Sequence, residues 1–385
     1  MKVLHICVGG PYTDGWNYQE NMLVKFQTRA GHQVALIAAQ WAWGSDGKIQ
    51  KTSDEHYIDK DGVEIYRLPI KGDKDVFYRY KRFLGFYKVI EQFSPEIIFV
   101  HNIQFFDIDQ IVRYRKTHNV LIYVDNHADF SNSARTVIAK IFYKTIWRYY
   151  AKMIEPYTTK FFGVLPSRVD FLKDIYGLPP EKCELLVLGG DDELIAQAAR
   201  PEIKENMRRK YEIKQDDFLI VTGGKIDAFK TQTLLLMQAV REINRENVKL
   251  LVFGSVEEEL KERLYALCDG QKIQYIGWIK GEQSYEYFAS ADIVVFPGRH
   301  SIYWEQVVAQ GIPMICKYWE GTTHVDIGGN VEFLMEDSVE IMKEKLLELV
   351  DNPNQYEEMK RKANGEGKKA FSYKTIAQRA VGIDV

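Results

Sequence analysis

Short apolar runs alternate with helix-period stretches along the whole chain. Lys2–Val8 is a mainly apolar run that stops at Gly9-Gly10-Pro11. A helical pattern follows from Asn17 to Ala30, closed by Gly31, and a second apolar run begins at Val34. The unit recurs at Glu96–Val100, Val120–Asn126 and Thr158–Leu165, then again at Phe218–Val221, Lys249–Gly254, Ile273–Ile279 and Ala291–Gly298. Continuous apolar runs bounded by glycine loops predict strands of a parallel sheet covered on both faces, and the βα alternation predicts an α/β fold. The polar turn Gly189-Gly190-Asp191-Asp192 reads as an exit from a first domain. The expected division is 1–195, 196–370 and a tail, 371–385.

Two regions fit this alternation less simply. Gly44 to Gly62 is polar and irregular. Helices are predicted near Lys74–Phe93 and Arg135–Lys160, both basic and aromatic. In the second, Ile138, Ile141, Phe142, Ile146, Tyr149, Met153 and Ile154 fall at helical spacing, so one face is expected to be core. Its cations (Arg135, Lys140, Lys144, Arg148, Lys152, Lys160) face only Glu155. They are either solvated or available to an anionic bilayer.

Composition narrows the partners. A chain of 385 residues exceeds one ordinary core. A net charge of −3 argues against a general nucleic-acid binder, because phosphate neutralisation needs surplus cations. Cys7, Cys183, Cys268 and Cys316 are scattered without metal spacing and read as reduced thiols. The N-terminal run reads as a strand rather than a signal peptide, and no run reaches the ~20 apolar residues of a membrane span. The expected location is the cytoplasm, with peripheral attachment at the inner face of the membrane as an extension of that reading.

Candidate chemistry concentrates after the strand at Phe218. Gly223-Gly224-Lys225 opens a loop that reaches Lys230 before a long helical pattern. Glycines admit close approach of an anion, a helix N-terminus supplies free N–H groups, and two lysines could clamp a diphosphate. A solvated loop with surface lysines is the plain alternative. In the first half, His101 and His127 each follow a predicted strand, where open α/β sheets place ligands. His101 reads first as structural, and His127, among Asp125, Asn126 and Asp129, as the better site candidate.

In order along the chain, Gly10 and Gly15, Gly31-His32-x-Val34, Asp61-Gly62-Val63, Gly190-Asp191-Asp192, Gly224-Lys225…Lys230, Phe253-Gly254, Gly277-Trp278-Ile279, Phe296-Pro297, Gly311-Ile312-Pro313 and Phe371-Ser372-Tyr373 resemble the family-four retaining glycosyltransferases. The resemblance implies a GT-B fold: two doubly wound Rossmann-like domains facing a central cleft, with a C-terminal helix crossing back to the first. It implies transfer of a sugar from a nucleotide diphosphate donor, UDP-linked in most of the family, to a hydroxyl of a glycan or lipid-linked glycan. No cofactor or metal is expected. Lys225 and Lys230 would hold the diphosphate, and Gly15 would let the first loop meet it. Gly224, Gly254 and the stretch Gly277, Trp278 and Ile279 would approach the nucleotide. His127 would sit near the transferred sugar. The family's paired-glutamate loop is altered here: Gln306 or Glu305 falls at the ribose position. Gly298 and Pro297 stand where the other glutamate is expected, leaving His300 and Ser301 as the nearest polar groups for the sugar. This departure keeps two rivals in view, a nucleotide-sugar-binding subunit without turnover and a sugar-nucleotide epimerase.

Overall fold

The computed structural model describes residues 1–44, 48–52, 55–71 and 81–383. The chain forms two compact units, one of Met1–Val187 with Tyr373–Val385 and one of Leu188–Ser372. The strands are β1 (Lys2–Cys7), β2 (Gln33–Ala39), β3 (Trp41–Trp43), β4 (Ile49–Lys51), β5 (His56–Ile58), β6 (Glu64–Leu68), β7 (Ile97–His101), β8 (Leu121–Asn126), β9 (Lys160–Gly163) and β10 (Cys183–Leu185) in the first unit. The second holds β11 (Phe218–Gly223), β12 (Val248–Phe253), β13 (Ile273–Gly277), β14 (Ile293–Phe296), β15 (Met314–Lys317) and β16 (Val331–Leu334).

The first sheet runs β10-β9-β8-β7-β1-β2-β6-β5, parallel throughout except for β5. Its strands read as unbroken apolar runs because helices cover both faces: Leu4, Ile6, Ile98, Val100, Ile122 and Val124 are all buried. The helix Tyr373–Arg379 belongs to this unit. It lies against the helix Gln19–Arg29, where Phe26 stacks on Tyr373 at 6.4 Å and the Gln27 amide donates to the Ala377 carbonyl at 3.1 Å.

The second sheet is all parallel in the order β13-β12-β11-β14-β15-β16. Both units are thus doubly wound and Rossmann-like. In each, the strand order reverses once, at β1/β7 in the first and at β11/β14 in the second. Such a switch point leaves a crevice beyond the carboxyl ends of the strands, which is where open α/β sheets bind ligands.

Three local expectations need correction. The polar stretch from Gly44 to Gly62 contributes β4 and β5, too short and too exposed for their alternation to register. The helix expected at Lys74–Phe93 covers Phe86–Phe93, and residues 72–80 lie outside the described region. The third concerns the helical run 137–154, where Ile138, Ile141, Phe142, Ile146 and Tyr149 are exposed rather than core. The core side of that run is taken by Tyr143, Trp147, Tyr150, Ala151 and Ile154. The run has two apolar stripes, and spacing alone does not say which one faces inward.

Candidate functional site

At the switch point of the first unit, the ends of β1, β7 and β8 carry a line of buried polar groups. The Gln27 amide NH2 donates to the Ala377 carbonyl, which turns its oxygen toward His5 Nε2 at 2.7 Å. His5 Nε2 therefore carries a hydrogen, and its Nδ1 accepts from His101 Nε2 at 2.9 Å. His101 Nδ1 in turn donates to Asp125 Oδ2 at 2.8 Å, and His127 Nε2 lies 3.2 Å from the same oxygen. Both His101 nitrogens thus face acceptors. Burial, reinforced by the charge of His101, pushes His5 down to about 3, so it stays neutral. Burial would raise the Asp125 carboxyl, but His127 and His101 together hold it well below the usual carboxylate range. Burial would likewise depress His127; the Asp125 carboxylate overrides this and raises it.

His127 is the exposed end of this line, with 27% of its side chain open to solvent. Its backbone is fixed by Asn102 Oδ1, which accepts from the His127 N–H at 2.9 Å, and by Asn132, which donates to its carbonyl at 2.7 Å. Nearby, the Lys81 ammonium donates to the Gly9 carbonyl at 2.5 Å, and burial pushes it down to about 8. Gly15 lies in the first βα loop, which the buried Arg67 ties down through Asp14 at 2.8 Å and the Tyr12 carbonyl at 3.1 Å.

At the switch point of the second unit, the chemistry is cationic. β11 ends at Gly223-Gly224, and a Cβ on Gly254 would lie 1.8 Å from the Gly224 carbonyl oxygen, so the loops after β11 and β12 touch backbone to backbone. Ile226 N–H to the Ser255 carbonyl and Glu257 N–H to the Ile226 carbonyl lace them together. Lys225 projects from this seam, half exposed, paired with Glu257 at 3.1 Å and Asp227 at 3.3 Å. Lys230 has no carboxylate within ion-pair distance among the described residues. Burial, with Arg299 and Lys225 adding to it and Asp227 opposing, sets its ammonium below the ordinary value. Arg299, from the loop after β14, lies over the Phe229 ring at 5.4 Å.

The helix Gln232–Glu242 begins beside these cations, and its N-cap Thr231 makes no side-chain capping bond. Gly298 packs close alongside: a Cβ there would touch Gln232 Oε1 at 3.4 Å and the Lys230 stem at 3.9 Å. Gln232 Oε1 is buried without a partner. Arg299 and Lys225 lie close enough to Lys230 to lower its ammonium, so three cations gather beside a helix start without a side-chain cap and a glutamine oxygen without a partner.

Glu305 is fully buried and accepts from His300 Nε2 at 2.7 Å and His324 Nε2 at 2.9 Å. Burial would raise its carboxyl; the two imidazoles hold it far below the usual range. Both imidazoles bond the same oxygen, Oε1, while Oε2 is buried without a partner. The carboxylate orients His300, which also packs edge-on to Trp304 at 5.1 Å. Gln306 is buried too, donating to Ser284 Oγ at 2.9 Å. Ser301 is partly exposed, and its carbonyl accepts from the Trp304 N–H at 3.0 Å. Gly277 ends β13, and beyond it the Trp278 indole is 69% exposed while Ile279 turns inward. The clusters His300–Glu305–His324 and His101–Asp125–His127 each bring three ligand atoms within 4.8 Å, close enough to share an ion. Their N–O separations of 2.7 to 3.2 Å are those of N–H···O hydrogen bonds.

Residues 203–366 match the family model described as glycosyl transferases group 1. That match lies within the second unit. An uncharacterised glycosyltransferase of Methanocaldococcus jannaschii is 23% identical over 168 residues, 42% of this chain and 41% of that protein. The chain therefore matches less than half the length of this curated relative. Among solved structures, a glycosyltransferase from Rickettsia africae superposes with a TM-score of 0.69 at 15% identity, covering 98% of this chain and 96% of the other. An Anabaena protein solved in complex with UDP gives 0.70 at 12% identity, covering 98% of each chain. A UDP-GlcNAc 2-epimerase from Neisseria meningitidis, bound to UDP-GlcNAc, gives 0.65 at 13%, again covering 98% of each. These likenesses place the chain in the GT-B fold.

Within the second unit, the structure gathers Gly224, Lys225, Lys230 and Gly254 at one place. It seats Glu305 and Gln306 in the interior behind His300. Sequence reasoning missed Arg299, His324 and, in the first unit, Lys81 and the His101–His5–Gln27 line. Arg299 had a usable signal, since it follows a strand end at the switch point. His324 had none, being brought to Glu305 only by the fold.

Proposed function

We propose that the chain is a retaining glycosyltransferase that moves a sugar from a nucleotide diphosphate donor, UDP-linked, to a hydroxyl of a glycan or lipid-linked glycan, as in cell-envelope polysaccharide synthesis. The observation that carries the reading is the cationic switch point of the second unit, where Lys230 lies half-buried and, among the described residues, without a carboxylate partner, beside a helix start with no side-chain cap. In the transfer, the bond from the anomeric carbon to the β-phosphate oxygen breaks and the acceptor oxygen takes its place on the same face. The acceptor's proton passes to a donor phosphate oxygen, and the nucleoside diphosphate leaves. Charge develops on that leaving diphosphate, and Lys230, Lys225 and Arg299 are placed to stabilise it; removing one such preorganised group costs about 3 kcal/mol. These cations supply the positive charge the step needs, so the reading calls for no cofactor or metal.

We assign the donor sugar to His300, held by Glu305, and to the unpartnered Gln232 oxygen, and the exposed Trp278 ring suits stacking on a base. In the first unit, His127 presents the ring edge opposite Asp125 as a donor to a sugar hydroxyl. A lipid-linked acceptor would bring the protein to the inner face of the membrane, and no helix among the described residues is long and apolar enough to cross one.

The test is to incubate the full chain with UDP-sugars and glycan acceptors, following UDP release and the anomeric configuration of the product by NMR. The reading expects a glycoside with the donor's configuration. An altered UDP-sugar released without acceptor would make the chain an epimerase, the reading that the epimerase neighbour favours. Tight UDP binding with no product would leave a binding subunit.

A further inference from the structure

Residues 137–154 form one continuous helical run on the first unit, about 27 Å long at ~1.5 Å per residue. A π turn at Tyr143–Trp147 lies in its middle. It allows Ile146, five places after Ile141, to stay on the same open side. Val137 is 73% exposed, Ile138 71% and Tyr149 62%, and Ile141, Phe142 and Ile146 are also exposed. The neighbouring loop adds Phe130, again exposed, with the Lys140 ammonium 5.4 Å over its ring. A soluble helix with a satisfied inner face does not need this second apolar stripe. An apolar surface of this extent marks an interaction site.

The charge around it has one sign. Arg135, Lys140, Lys144, Arg148 and Lys152 are exposed, and no acidic residue occurs between Asp129 and Glu155. Among the described residues none of these five cations is within ion-pair distance of a carboxylate. We propose that this face docks on an anionic lipid bilayer, the apolar side chains entering the headgroup boundary and the lysines and arginines reaching phosphate. Interfacial helices bind in this way, by apolar burial and by attraction to anionic headgroups together. A protein partner fits less well, because the buried centres of protein interfaces are depleted of lysine. Long lysine stems can cover apolar surface while their charged ends reach outward, which suits the edge of a membrane-inserted stripe. The assignment concerns a surface of the first unit alone and does not depend on transfer activity.

The experiment is flotation of the full chain with vesicles of phosphatidylglycerol and phosphatidylcholine in equal parts, beside vesicles of phosphatidylcholine alone, at low and high salt. The wild type is expected to float with the anionic vesicles only and to be released by salt. Replacing Lys140, Lys144 and Lys152 together by Gln should weaken partitioning by about a hundredfold. The triple replacement Ile138→Ser, Ile141→Ser, Phe142→Ser should abolish it even at low salt. Because all six side chains are exposed, both variants should keep the wild-type unfolding midpoint, which is checked in parallel. Equal binding to neutral vesicles, or no binding to either kind, overturns the proposal. So does a wild-type dimer in sedimentation that the serine variant converts to monomer while vesicle binding persists, since the face would then cover a second copy of this chain.

Discussion

The two units share a topology and differ in what they put at its switch point. At β1/β7, Gln27, His5, His101, Asp125 and His127 form one hydrogen-bonded line, and only the last member reaches solvent. At β11/β14, the charges are left over. Lys230 has no carboxylate partner among the described residues, Gln232 Oε1 is buried unfilled and the helix start has no side-chain cap. A matched line holds geometry, whereas an unmatched cluster waits for a ligand. The same fold can therefore give one unit a polar floor and the other the site we propose for a diphosphate. Carboxylates mark the difference as well. Asp125 holds the histidine that faces solvent in the first unit, while Glu305 is sealed beneath His300 and His324 in the second.

The largest expected effect comes from breaking the matched line. Asp125→Asn leaves His101 and His127 without their anion in a buried setting, and chemical unfolding should show a loss of about 3–5 kcal/mol. Nucleotide affinity should stay at the wild-type value, because the proposed diphosphate site lies in the other unit. A drop in that affinity equal to the one caused by Lys230→Ala would erase the distinction drawn between the switch points.

Lys230→Ala comes next. It should lower UDP affinity by about 2–3 kcal/mol, the scale of a charge-assisted contact, with little effect on folding. Lys225→Ala should cost less, because Lys225 is already committed to Glu257 and Asp227 and stands half in water. A calorimetric series across both variants gives the ranking directly. Affinities that fall equally would mean the two lysines form a symmetric clamp.

The smallest effect is in pH. The folded value of His127 is raised above 6.5, so its stabilising contribution is complete below that pH and fades as pH climbs through the folded value. The folded value of Asp125 is lowered from 3.8, so its contribution is complete above that pH and is lost on acidification. Stability attributable to this pair should be level between these two ordinary values and decline on either side. NMR titration of the His127 ring should show its midpoint above 6.5 in the wild type and a lower one in Asp125→Asn.

The doubly wound fold was legible because buried parallel strands leave unbroken apolar runs, such as Phe218–Val221, that end in glycine loops. Gly224 and Lys230 were legible for the same reason: each lies at a fixed offset from a strand end or a helix start. The pairing of Glu305 with His324 was not, because His324 is brought by a distant loop and the burial of Glu305 depends on packing around Trp304. The outward stripe at Val137–Tyr149 was hidden by a helix apolar on two sides, for which periodicity reports amphipathicity and not direction.

The central claim is that the second unit binds a nucleoside diphosphate through Lys230 at its switch point. Isothermal titration of UDP into the full wild-type chain and into Lys230→Ala, at two salt concentrations, tests it most directly. The account predicts one site, binding that weakens with salt, and an affinity about a hundredfold lower in the variant, as expected for a lost charged contact. Wild-type and variant isotherms that coincide, or no binding by either, would contradict it.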